Sequence, residues 1–155
     1  MESLSQATSV AQVIQLAVAP VFLLAGVGAT LNVLAARIGR IIDRARLTEE
    51  KLASADGEEA HHLQSRLKVL AKRATLINRA IALCVLSGLL VSLVVAALFV
   101  SSALRVDLTG PIAITFVIAL LSLASALVYF LREVFLATNS LQFGGMRKRS
   151  DVAQE

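Results

Sequence analysis

Three long stretches without a single Asp, Glu, Lys or Arg constrain this chain more than any other feature. They are residues 10–36, 80–104 and 111–131. A bilayer's hydrocarbon core is about 30 Å thick and takes about 20 apolar residues to cross as a helix. Each stretch is long enough. In hydrocarbon every backbone N–H and C=O must be bonded internally, so a crossing segment is a helix or a strand of a closed barrel. None of the three shows the short alternation of barrel strands. The expected fold is therefore an all-α integral membrane protein with three transmembrane helices. At 57% hydrophobic and 17% charged residues, the composition departs from the roughly 45–50% and 25% of soluble domains in the same direction.

The charges then set orientation. The connection over residues 37–79 carries ten Lys and Arg, and the segment after Leu131 adds Arg132, Arg147, Lys148 and Arg149. The N-terminal segment has none, and residues 105–110 have only Arg105. Basic loops stay on the cytoplasmic side, which predicts the N-terminus outside and the C-terminus inside (N-out, C-in). The net charge of +4 belongs to that face and does not argue for a nucleic-acid partner. Residues 1–12 lack the basic start and Ala-X-Ala site of a cleaved export signal, so the first span is expected to persist. The lone Cys84 forms no intrachain disulfide and reads as a small packing residue.

The long connection has its own periodicity. Leu31, Leu34, Ile38, Ile41, Ala45, Thr48 and Leu52 recur at alternating spacings of three and four, the mark of a heptad seam. Helix breakers follow at Ala53-Ser54-Ala55-Asp56-Gly57. A second seam runs through Leu63, Leu67, Leu70, Ala74, Ile77 and Ile81. With a turn near Gly57 the seams match in antiparallel order, Leu52 with Leu63 down to Leu34 with Ile81. Residues 37–79 are thus expected to form a cytoplasmic antiparallel helical hairpin, coiled-coil-like and continuous with the first two spans.

The flanks of that hairpin differ. One collects Arg37, Arg44, Lys51, Arg66 and Arg73; the other is apolar around Ile42 and Ala71. Like charges facing each other cost a few tenths of a kcal/mol per exposed pair, and an acidic neighbour would relieve them. Asp43 sits among the arginines, with Arg40 and Arg46 three residues away on either side and Lys72 expected close across the hairpin. Two readings follow. Asp43 and Lys72 belong to a structural ion-pair network, or Arg37, Arg40, Arg44, Arg46 and Arg73 form a cluster that receives a phosphate or anionic lipid. His61 and His62 lie beside the turn, do not share a helix face, and have no companions at metal-ligand spacing.

Small residues mark helix-packing faces within the spans. Gly26 and Gly28 lie one turn beyond Pro20, a residue expected to kink the first helix. Gly88, Ser92 and Ala96 form a small-xxx-small ridge on the second. Such ridges let helices approach closely, within one chain or between copies. Pro111 suits the first turn of the third helix, Tyr129 and Arg132 mark its inner end, and Gly144-Gly145 is expected to stop it. The organisation is one membrane domain: spans at 10–36, 80–104 and 111–131, the hairpin at 37–79, and a cytoplasmic tail at 132–155 whose Arg147-Lys148-Arg149 can sit on anionic lipid.

The run Arg37-Ile38-Gly39-Arg40-Ile41-Ile42-Asp43-Arg44-Ala45-Arg46, preceded by Ala19-Pro20, resembles a family of short bacterial membrane proteins catalogued as domain of unknown function 2721. Lys72-Arg73-Ala74 and Arg132-Glu133-Val134 are also similar. The matching residues are Pro20, Arg37, Arg40, Asp43, Arg44, Arg46, Arg73, Arg132 and Glu133, and the likeness covers about residues 10–141. It implies this fold, a bacterial inner-membrane location and weight on the arginine run, but no activity.

Three functions fit. The first is a non-enzymatic, self-associating membrane protein, a homo-oligomer whose basic hairpins meet anionic lipid or acidic protein surfaces. The second is a phosphate or anionic-lipid binding module built on Arg37–Arg44. The third is an insertion helper similar in layout to small Oxa1-type insertases, an analogy of layout only. No nucleophile, paired carboxylates, metal set or glycine-rich phosphate loop indicates an enzyme, a metal or a cofactor.

Overall fold

The computed structural model describes the backbone of residues 2–104 and 106–151, and the side chains of residues 11–12, 14–104 and 106–137. The described chain is three helices: α1 (Glu2–Leu52), α2 (Gly57–Leu104) and α3 (Thr109–Asp151). Each contains a segment long and apolar enough to cross a membrane. α1 continues through Gly39, as expected of an isolated glycine, which costs a helix only about 1 kcal/mol. It also continues through Pro20, whose ring is buried. α3 runs past Gly144-Gly145, where a stop was expected. Glycine weakens a helix without blocking it, and no proline follows to enforce an end.

The chain divides into two compact units. The first comprises Met1–Val33 and Ile81–Ala126. Its core is a column of small and β-branched residues: Ala17 and Val27 on α1, Cys84, Ser87, Val91 and Val94 on α2, and Ala119, Ser122 and Ala126 on α3. The alternating three- and four-residue steps on α2 keep one stripe facing the neighbours. Close approach is direct. The Ser87 hydroxyl donates to the Ala119 carbonyl at 2.8 Å, and the Cys84 thiol to the Val27 carbonyl at 3.8 Å. Other hydroxyls are satisfied within their own helix: Thr30, Ser92, Thr115 and Ser125 each donate to the carbonyl four residues back.

The expected packing ridges lie elsewhere than on this stripe. Gly26, Gly28, Ser92 and Ala96 are exposed, and only Gly88 is partly covered. A Cβ added at Gly88 would meet Val27 Cγ1 at 3.4 Å. The buried stripe passes through Ser87 and Val91, one residue off the ridge, which turns most of the ridge outward.

The second unit comprises Leu34–Ala80 and Leu127–Glu155. Here α1 ends in a tightened last turn, with Ala53 N–H on the Glu49 carbonyl and Ser54 and Ala55 on Lys51 and Leu52. Gly57 opens α2 with φ of 62°, a left-handed conformation that only glycine takes without cost. Glu58 and Glu59 in the first turn of α2 suit the positive end of the helix dipole. Between Leu34 and Ile77 every seam position is buried or half-buried: Leu34, Ile41, Leu63 and Ile77 fully, Ile38, Ala45, Thr48, Leu52, Leu67, Leu70 and Ala74 in part.

Candidate functional site

Among the described residues of the second unit one charged side chain is fully buried, Glu133 on α3, with a side-chain exposure of 0%. The helix phase puts it there. Ala119, Ser122 and Ala126 form α3's buried face, and one heptad beyond Ala126 the same face reaches Glu133. A lone carboxylate removed from water costs several kcal/mol unless it is paired and hydrogen-bonded, and two arginines do both. Arg73 donates from Nε and Nη2 to Glu133 Oε1 at 3.1 and 2.7 Å. Arg37 donates from Nη1 to Oε2 at 3.0 Å. The Arg37 guanidinium also lies 5.0 Å from the centre of the Phe130 ring, one turn before Glu133, a cation–π distance. Arg73 is 14% exposed and Arg37 34%.

These groups line a pocket of about 170 Å³ together with Arg40, Arg44 and Ile41. Its four guanidiniums and one carboxylate leave a formal charge of +3. Arg37 and Arg73 share the neutralisation of Glu133. Arg40 and Arg44 are exposed; Arg40 gives only its Nε to the Ala36 carbonyl at 3.2 Å. The guanidinium ends of two arginines are thus left for an incoming anion, and guanidinium is suited to bidentate binding of phosphate or carboxylate.

The structure therefore brings together four of the five arginines singled out in the sequence: Arg37, Arg40, Arg44 and Arg73. Arg46 is exposed and lies outside the pocket. The expected network of Asp43 and Lys72 needs correcting. Both are exposed, and among the described residues the ion pairs are Arg37–Glu133 and Arg73–Glu133. Asp43 is exposed, and an exposed carboxylate gains little from a partner. Glu133 does what Asp43 was expected to do. Its signal in the sequence was positional, a carboxylate seven residues after a small residue on the packing face of the third helix. His61 and His62 are exposed.

The fold and this site define an all-α chain whose three helices are each long and apolar enough to cross a membrane, with an arginine pocket organised by one buried glutamate. It belongs to the family described as Protein of unknown function (DUF2721), which matches residues 17–143. No curated protein and no solved structure matches the chain.

Proposed function

We propose that this is a non-enzymatic, multi-pass protein of a bacterial inner membrane that binds an anionic phosphate group, foremost that of an acidic phospholipid, in the Arg37–Arg40–Arg44–Arg73 pocket. The observation that carries this reading is the excess of guanidiniums over carboxylates around one small pocket. The loop charges support an N-out, C-in orientation. That puts residues 37–79 in the cytoplasm and the pocket beside the inner leaflet, where anionic lipids attract basic residues by about 1 kcal/mol per charge.

The test is native mass spectrometry of protein released from nanodiscs containing phosphatidic acid, phosphatidylglycerol and phosphatidylcholine. Selective retention of the acidic lipids is expected, and it should be lost in Arg40→Gln/Arg44→Gln. Retention that ignores headgroup charge, or survives that double change, refutes the reading.

A second reading, self-association, is supported by the outward-facing small residues. Gly26, Gly28, Ser92 and Ala96 are exposed, a Cβ added at Gly26 or Gly28 would meet nothing within 4 Å among the described residues, and such faces suit close helix contacts in lipid. Cross-linking in nanodiscs that responds to Ala96→Leu would support a homo-oligomer built on this face; a monomer at all protein-to-lipid ratios would exclude it.

A further inference from the structure

A second depression lies beside the anion pocket, in the same unit. It has a volume of about 480 Å³ and runs between the two legs of the hairpin, lined by Arg44, Leu47 and Thr48 on α1 and by residues from His62 to Arg73 on α2. Its floor is apolar. Leu47 is 58% and Val69 43% exposed, and Leu70 is half-buried. Its rim carries Arg44, Arg66, Arg73 and His62, and no acidic side chain lines it among the described residues. With ten Lys and Arg over residues 37–79, this part of the chain lies in water whichever way the protein is inserted, because hydrocarbon does not accept such a charge density. Two large exposed aliphatic side chains beside Arg44 and Arg66, neither of which is in an ion pair among the described residues, point to a missing surface.

We propose that this groove receives an acidic amphipathic helix from a partner protein. Length and charge argue for a helix. The α2 side of the groove extends from His62 to Arg73, three turns or about 16 Å of helix. An amphipathic helix of about four turns lays apolar residues at i, i+3, i+4 and i+7 into such a channel. Aspartates and glutamates beside that stripe meet Arg44 and Arg66, Arg73 being already engaged by Glu133. The charge arrangement also selects against basic partners, since like charges across an interface are costly.

The groove shares Arg44 and Arg73 with the anion pocket, so the test uses Leu47 and Arg66, which only the groove contains. Full-length protein in nanodiscs of neutral lipid is titrated with a fluorescent synthetic helix of about four turns, leucine on one face and glutamate beside it. A charge-reversed peptide with lysine for glutamate is the control. The acidic peptide is expected to bind at least roughly tenfold tighter than the control, more weakly as salt rises. Arg66→Glu and Leu47→Ser should each weaken it about tenfold or more. Lys68→Glu, a reversal at an exposed residue outside the groove, should change it little, which separates loss of the groove from loss of net charge. Equal binding of both peptides, or indifference to Arg66→Glu and Leu47→Ser, overturns the proposal. An oligomer in peptide-free nanodiscs that Arg66→Glu converts to monomers would assign the groove to a second copy and overturn it equally.

Discussion

Removing Glu133 should destabilise the protein far more than removing either arginine that holds it, in a definite order. In Glu133→Ala three charge-assisted hydrogen bonds are lost and two guanidiniums lose their counter-charge. Removing one partner of a buried ionic group costs about 3–5 kcal/mol because the charge left behind is uncompensated, and here two guanidiniums are left, Arg73 only 14% exposed. Arg73→Ala removes two of those bonds, including the shorter one, and leaves Glu133 with a single partner, so it should fall near the lower end of that range. Arg37→Ala removes one bond and the Phe130 contact. Arg37 is a third exposed, so solvent already screens its part, and a loss of about 1–2 kcal/mol is expected. Tyr129 gives the assay. It is the only tyrosine, there is no tryptophan, and it stands one turn before Glu133. Its emission, followed through an SDS titration in mixed micelles, reports unfolding next to the site. Double-mutant cycles with Glu133→Ala should give a larger coupling to Arg73 than to Arg37. A Glu133→Ala protein within about 1 kcal/mol of the parent, or an Arg37→Ala protein as unstable as Glu133→Ala, would refute the reasoning.

Three further outcomes follow from single residues. Gly39→Ala and Gly57→Ala should shift stability in opposite directions although neither meets another atom. Alanine in mid-helix gains up to about 1 kcal/mol, while at a φ of 62° it loses about 1–2 kcal/mol; the same SDS titration reads both. Asp107 accepts hydrogen bonds from Thr109 at the start of α3, through the side chain first and then the backbone amide, and these hold its carboxyl below the usual range. Its contribution is complete above the ordinary carboxylate pKa and is lost as pH falls through the lowered one. Amide exchange at the start of α3 should speed up on acidification in the parent and lose that dependence in Asp107→Asn. Ser87→Ala removes the 2.8 Å bond to Ala119 and should cost about 0.6 kcal/mol, and no more than about 1.7 kcal/mol, the average and upper value for hydrogen bonds between helices in a membrane.

Much of the fold was legible because two physical signals dominate the sequence. Uncharged length marks the helices that can cross a membrane, and the three–four seam marks which face is buried. Leu34, Ile41, Leu63 and Ile77 fell on the buried line because a heptad fixes phase without reference to any partner. The small-residue faces were less legible. A glycine or serine ridge says that something can come close, not that the chain supplies it, so Ser92 and Ala96 turned outward while their neighbours Ser87 and Val91 were buried. The end of α3 was misplaced because a glycine pair lowers helix stability by an amount that context can offset.

The site was half legible for a deeper reason. Arginines declare themselves by their number, but which of them are free depends on a carboxylate on another helix. Local spacing made Asp43 the natural partner, at three residues from Arg40 and Arg46. Helical neighbours in water gain only a few tenths of a kcal/mol from such pairing, too little to fix a geometry. Glu133 is far away in sequence, yet its burial makes pairing obligatory, and the two arginines that reach it become structural. Arg40 and Arg44 are left with their charge unopposed in the same pocket. The division of labour predicts its own test. Glu133→Gln should lower stability yet tighten anion retention by raising the pocket's charge, whereas Arg40→Gln should weaken retention and leave stability nearly unchanged. A site in which stability and anion binding fell together in both variants would have no such division, and the glutamate would be a ligand-shaping residue instead of a structural one.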